Sequence, residues 1–224
     1  MKIKERASKI LGISGIGIVF IYLLVFIFLA VMVPGFLTVS NILVNIRQSV
    51  FICLCSFAMT FVISMGGIDL SVGSVAGFSA MLTAIFIKGG MNIYLAIVLV
   101  LVIGLLLGAI NGILVTKLHI AYFLATLGTS EILRGLIYVY TKGVPIYGMK
   151  FKELTWFGQG YVGIIPVPIL ITALALLISS YLFYKTKFGR YTVSIGSNED
   201  AARLVGIHVD KTKIMVMAYA GMLC

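Results

Sequence analysis

The chain has 224 residues, of which 61% are hydrophobic and only 11% charged, and it carries a formal net charge of +10. A water-soluble domain cannot hide so large an apolar fraction, because about half of its residues must meet water. The composition excludes a soluble globular fold, and without a basic helix or a zinc pattern the positive charge does not point to nucleic acid.

Residues 10–33 form an uncharged run of 24 residues behind a basic leader, Lys2, Lys4, Arg6 and Lys9. A secretory signal has an apolar core of about 7–15 residues, so this run reads as a retained first span. Further spans are predicted at 48–65, 70–87, 93–116, 120–140 and 164–184. A seventh opens at Ile214 and is still apolar at Cys224. Those last residues are too few for a crossing, which takes about 20, so the sequence reads as incomplete at this end.

Basic residues collect on the cytoplasmic side of membrane proteins. With the N-terminus inside and 49–87 counted as two spans, the inner loops hold eleven Lys and Arg and the outer loops five. Counting that stretch as one span would move the six basic residues of 185–213 outside. The expected fold is all-α: a polytopic transmembrane bundle of six full spans and the start of a seventh, N-terminus cytoplasmic. Residues 1–224 form one incomplete membrane domain, with an extracytoplasmic loop at 141–163 and a cytoplasmic loop at 185–213.

Between the second and third spans stands Gly66-Gly67-Ile68-Asp69-Leu70-Ser71. Asp69 is the only charge between Arg47 and Lys88. Two glycines suit a tight break between helices. Asp69, or Ser71, is expected to cap the following helix by accepting from the N–H groups of its first turn. The other reading makes the break a polar lining of a pathway, since carboxylates within membrane segments are costly and mark function. Both stay open at this point. Asn41, Asn45 and Gln48 are candidates for the same path or its outer rim.

In the fourth span Gly104, Gly108 and Gly112 recur every four residues, a smooth stripe for close helix packing. Asn111 beside it is placed to bond across helices. The fifth span holds Thr126, Thr129, Ser130, Glu131 and Arg134. Glu131 and Arg134, three apart, are expected to pair on one face. The alternative is a polar lining for a hydroxylated solute. Cys53 and Cys55 read as small apolar fillers, and Trp156 with nearby tyrosines marks 141–163 as interfacial.

Residues 185–213 contain a short predicted helix over Ser197–Gly206. Ser197 or Asn198 caps it, Glu199 and Asp200 lie in its first turn, and Gly206 ends it. Such a helix outside the membrane fits a partner's groove, or is an ordinary surface helix. The chain has no phosphate loop, no nucleophile–base pair and no metal cluster, and His119 and His208 are isolated. No cofactor is expected.

Three segments, "GGIDLSVGS", "TLGTSEILRG" and "FGRYTVSIGSNEDAARLVGI", resemble the ribose-type permeases of bacterial ABC sugar importers, from about Phe36 to the last residue. The resemblance implies an inner-membrane permease subunit for a monosaccharide such as ribose. It works with a second permease subunit, a cytoplasmic ATPase that binds the ATP, and an extracytoplasmic sugar-binding protein. It also implies an ATPase-coupling element. Asp200, Ala201, Ala202 and Gly206 fit its spacing, with Gly189, Arg190, Gly196, Asn198, Glu199 and Arg203 in the longer pattern. It further implies spans beyond Cys224, and Glu131 stands where the family more often has a neutral residue. From the residues alone, an ATP-independent carrier or channel, or a truncated remnant, are the competing readings.

Overall fold

The computed structural model describes residues 16–146 and 152–224. The basic leader, residues 10–15 of the first predicted span, and Lys150 lie outside the described residues. The chain divides into two compact units, residues 1–46 and 47–224.

In the first unit, α1 (Ile16–Met32) is apolar on every side and carries no charge, the pattern of a helix surrounded by lipid. A turn at Gly35, with φ +81°, leads into α2 (Val39–Ser64). Thr38 Oγ accepts from the Asn41 amide at 3.4 Å, and Asn41 Nδ2 donates to the Phe36 carbonyl at 2.7 Å. The start of α2 is thus tied by side chains. Helix α2 begins nine residues before the predicted 48. Its polar first turns, Asn41 to Gln48, are helical although they are not apolar, because capping rather than hydropathy sets the boundary.

The second unit holds the rest of α2 and α3 (Val72–Lys88), α4 (Ile93–Lys117) and α5 (Tyr122–Thr141). It continues with a short α6 (Lys152–Gln159), a two-residue hairpin β1 (Tyr161–Val162) and β2 (Ile165–Pro166), and α7 (Val167–Lys185). Then come α8 (Lys187–Ser197), α9 (Glu199–Leu204) and α10 (Val209–Leu223). The hairpin is a local closure of the loop before α7 in an all-α architecture. Helices α2, α4 and α7 are long and apolar enough to cross a membrane, and α1 and α3 are shorter apolar helices. Large apolar side chains cover the outside of these helices. So much exposed apolar surface needs a lipid solvent, and the protein is a multi-pass membrane protein.

Packing fixes the helix directions. Gly104 faces Gly221, Gly108 faces Met217, and Gly112 faces Ile214, so α4 and α10 run antiparallel. Thr126 meets Leu70 and Ser130 meets Ser74, so α3 and α5 run parallel. A buried cluster joins the end of α2 (Ala58, Phe61, Val62, Met65) to Ile195 of α8, Ala202 of α9, and Val209, Val216, Met217 and Ala220 of α10.

Two further boundaries differ from the sequence reading. Residues 187–197, expected as loop, form α8, because Gly189, Thr192 and Ile195 make one buried face and Phe188 packs against the same cluster. Helix α10 starts at Val209, five residues before Ile214. Its first turns are charged, and those charges have partners outside the apolar run.

Candidate functional site

The break between α2 and α3 is built by its glycines. Gly66 adopts φ +82°, a left-handed conformation that favours glycine. At Gly67 space is tight: a Cβ there would lie 3.0 Å from the Tyr122 ring, which would have to shift to admit it. Asp69 is buried, and its Oδ1 accepts from the Ser71 amide at 2.7 Å and the Ser71 hydroxyl at 2.6 Å. This corrects the capping expectation. Ser71 occupies the N-cap position of α3 and its side chain makes no cap bond. Asp69 instead folds the break onto itself, a short-range turn of the kind aspartate favours.

From Ser71 a polar chain crosses the bundle. Asn111 Nδ2 donates to Ser71 Oγ at 3.0 Å, and Thr129 Oγ donates to Asn111 Oδ1 at 2.5 Å. Thr126 Oγ accepts from the Leu70 amide at 3.1 Å and donates to the Tyr122 carbonyl at 2.8 Å. One turn further along α3, Ser74 and Ser130 share a hydrogen bond at 2.6 Å, and Arg134 Nε donates to Ser74 at 3.2 Å. Asn111, Thr126, Ser71, Ser74 and Ser130 are all buried. Hydrogen bonds in so dry a setting hold strongly, and each group left unpaired would be costly. The structure therefore gathers Gly66, Gly67, Asp69, Ser71, Asn111, Thr126 and Thr129 around one break.

Glu131 does not join them. The expected Glu131–Arg134 pair is absent from the ion pairs among the described residues. Arg134 turns to Ser74 across the helix interface, while Glu131 is exposed. A buried hydroxyl next door offers Arg134 a partner that does not compete with its own helix. Sequence reading missed Ser74 and named Ser130 without a role. A serine inside an apolar helix gives no signal until its facing hydroxyl is known.

At the other end of these contacts lies the 187–213 segment. Asn198, rather than Ser197, caps α9, accepting from the Ala201 amide at 2.9 Å. Ala202 is buried, and Gly206, at φ +83°, turns the chain. Arg203 pairs with Glu199 at 2.9 Å and with Asp210 at 3.1 Å. Lys213 pairs with Glu199 at 2.6 Å, and Lys117 at the end of α4 pairs with Asp210 at 3.0 Å. This lattice ties α9 to α4 and α10. The Lys213 hydrogen bond holds the Glu199 carboxyl below its ordinary range, and Lys117 does the same for Asp210. Glu199 and Arg203 are thus engaged within the chain. The residues of this segment left facing outward include Arg190, Asp200 and Ala201, together with Leu204 and Val205, which are 88% and 77% exposed. Leu204 and Val205 were missed as site residues, because an apolar pair at a helix end reads as core.

Two glycines of the segment are packing positions. A Cβ on Gly189 would meet the Phe183 carbonyl, closing the corner between α7 and α8, and one on Gly196 would meet the Ser64 carbonyl. Gly104, Gly108 and Gly112 line the contact with α10, where a Cβ on Gly112 would lie 2.7 Å from the Ile214 Cα. Asn41 and Asn45 belong to the first unit, and Gln48 is exposed. Among the described residues no group of His, Cys, Asp and Glu could hold a metal ion.

Comparison with known proteins bears on the whole arrangement. The family model described as "Branched-chain amino acid transport system / permease component" matches residues 41–224. The ribose import permease protein RbsC of Bacillus subtilis is 46% identical over 198 residues, covering 88% of this chain and 62% of that protein. RbsC of Haemophilus influenzae is 41% identical over 208 residues, 91% of this chain and 64% of that protein. The L-arabinose transport system permease protein AraH of Escherichia coli is 33% identical over 215 residues, 92% of this chain and 62% of that protein. The chain thus spans less than two thirds of the length of these relatives. No solved structure matches it. With the family model matching all but the first 40 residues, the chain belongs to the family of branched-chain amino acid transport system permease components.

Proposed function

We propose that the protein is the inner-membrane permease subunit of an ATP-binding cassette importer for a monosaccharide, with ribose the first candidate. The observation that carries this reading is the similarity to ribose import permeases across nearly the whole chain. In this reading the N-terminus is cytoplasmic, six helices cross the bilayer and α10 opens a seventh. The parallel run of α3 and α5 and the antiparallel run of α4 and α10 support that alternation. A second permease subunit completes the channel, a separate cytoplasmic ATPase binds and hydrolyses ATP, and an extracytoplasmic binding protein delivers the sugar.

The geometry supports an assignment of the working parts. The exposed side of α9, with Asp200, Leu204 and Val205, docks on the ATPase. An apolar pair beside an acidic residue on a short helix suits a partner groove. The ion-paired side, with Glu199 and Arg203, fastens α9 to the bundle. The polar cluster around Asp69, Ser71, Asn111 and Thr129 borders the solute path, where hydroxyl and amide groups match a polyhydroxylated solute. Transport proceeds by alternating access, the ATPase moving α9 and the bundle following.

The test is affinity purification of the tagged protein from its host membranes in mild detergent. An ATPase and a sugar-binding protein are expected to co-purify, and the binding protein is expected to gain thermal stability with ribose or another pentose. Recovery without an ATPase, with uptake that tolerates ATP depletion, would replace the importer with an independent carrier.

A further inference from the structure

The break at 64–71 meets the cytoplasmic segment 187–213 directly at one place and through Tyr122 of α5 at another. On the upstream side, Gly196 of α8 presses its backbone against the Ser64 carbonyl, with the Met65 carbonyl carbon 3.2 Å from where a Cβ would stand. On the downstream side, the ring of Tyr122 lies against Gly67, with ring carbons 3.0 and 3.1 Å from a Cβ built there. Over the same ring stands Lys213 Nζ, 5.7 Å from its centroid, and that ammonium is bonded to Glu199 of α9. Tyr122 also receives Thr126 Oγ on its carbonyl, and Thr126 holds the Leu70 amide of the break. A continuous set of contacts therefore runs Glu199, Lys213, Tyr122, Gly67, and from the break to Asp69, Ser71 and Asn111.

The geometry points to Tyr122 as a positioning residue that carries displacement of α9 into the break and so into the buried polar cluster. The inference rests on the coupling reading proposed above and names the residue through which it acts. Three features single out Tyr122. Its ring packs against the buried cluster that joins α2, α8, α9 and α10. It is the aromatic ring set against Gly67, where a methyl would press on its ring carbons at 3.0 and 3.1 Å and need the ring to shift. Its hydroxyl is buried with no hydrogen-bond partner, so the contact is made by the ring and a phenylalanine preserves it. Packed cores shift between discrete arrangements instead of deforming smoothly. A lever under a glycine hinge is therefore felt at the first polar group beyond it, two residues on, at Asp69.

The experiment uses the complete transporter in proteoliposomes: permease, ATPase and binding protein. ATP hydrolysis and sugar uptake are measured together, normalised to permease in the membrane. Tyr122→Ala is expected to raise ATP consumed per sugar by about fivefold or more, with hydrolysis itself largely retained, and Tyr122→Phe to restore the wild-type ratio. Gly67→Ala, which puts a methyl against the ring, is expected to shift the ratio in the same direction and serves if Tyr122→Ala does not insert. A second readout needs no uptake. Ile68, 53% exposed in the break, is changed to Cys with Cys53, Cys55 and Cys224 replaced by Ser. Its maleimide labelling rate is expected to differ between nucleotide-free and ATP-held states by about fivefold or more, and to lose that difference with Tyr122→Ala. Equal falls in hydrolysis and uptake, or a nucleotide-dependent labelling that survives Tyr122→Ala, overturn the role of Tyr122. Wild-type vesicles that take up sugar without ATP overturn the coupling reading itself, a different result from either.

Discussion

Gly108 of α4 and Met217 of α10 meet backbone to backbone: a Cβ on Gly108 would run into the Met217 carbonyl, and the Ala218 Cα lies 3.0 Å from the same point. With Gly104 and Gly112 one turn to either side, the contact extends along both helices. Small residues at such an interface replace the hydrophobic drive that lipid removes. Gly108→Leu is expected to destabilise the folded protein by about 1–3 kcal/mol or more, the usual range for overpacking. Gly73→Ala, where an added Cβ meets nothing within 4 Å, is expected to be near neutral. Thermal unfolding in detergent, followed by size-exclusion chromatography, separates the two.

Asn111 bridges two helices by bonding Ser71 and Thr129. Asn111→Leu leaves the Ser71 hydroxyl with Asp69 alone and the part-buried Thr129 hydroxyl without this acceptor, at a cost of about 1–3 kcal/mol for a group left unsatisfied. The same unfolding assay is expected to show a clear loss of thermal stability. The double change Asn111→Leu with Thr129→Val is expected to lose less than the sum of the single changes, since paired removal leaves fewer orphans.

Asp69 holds Ser71 through one oxygen, accepting from both the amide and the hydroxyl. Asp69→Asn keeps an acceptor at that place, so the folded protein is expected to survive in the membrane at near wild-type amounts. Asp69→Leu removes it and is expected to lower yield and thermal stability. Sugar uptake by Asp69→Asn then reports on the charge alone.

The ion-pair lattice around Glu199 and Asp210 has a defined pH response. Both carboxyls are held below their ordinary values by lysine partners. Groups of this kind contribute stability above their unfolded values, about 4, and lose it as pH falls through the lower folded values. Amide exchange over 199–210 is expected to stay flat from about pH 8 to 5, corrected for intrinsic rates, and to speed up below about pH 4. The change is small, because the side chains are partly exposed and solvent screens them. Lys117→Asp is expected to loosen the same segment already at neutral pH, and the swap Lys117→Asp with Asp210→Lys to recover part of the loss.

What the sequence makes legible follows from periodicity and punctuation. Long uncharged runs locate the helices, the four-residue glycine spacing marks the α4 face that meets α10, and Asn198 ahead of two acids marks the start of α9. What it hides depends on the opposing element. Arg134 has Glu131 three residues away, yet it turns to Ser74, a residue sixty positions earlier that only the parallel packing of α3 and α5 brings near. Helix α8 escapes notice because its buried face, Gly189, Thr192 and Ile195, includes only one large apolar residue. The polar start of α2 and the charged start of α10 are invisible to a hydropathy boundary, since caps and ion pairs fix both. Tyr122 draws no notice in the sequence, since its place against Gly67 depends on how α5 packs on the break.

Sugar uptake into sealed proteoliposomes, with and without ATP available to the ATPase, tests the importer account most directly. The account predicts accumulation of ribose or a related pentose only when ATP and the sugar-loaded binding protein are both present, with no response to an imposed ion gradient. Accumulation that persists without ATP, or that follows the gradient, would contradict it.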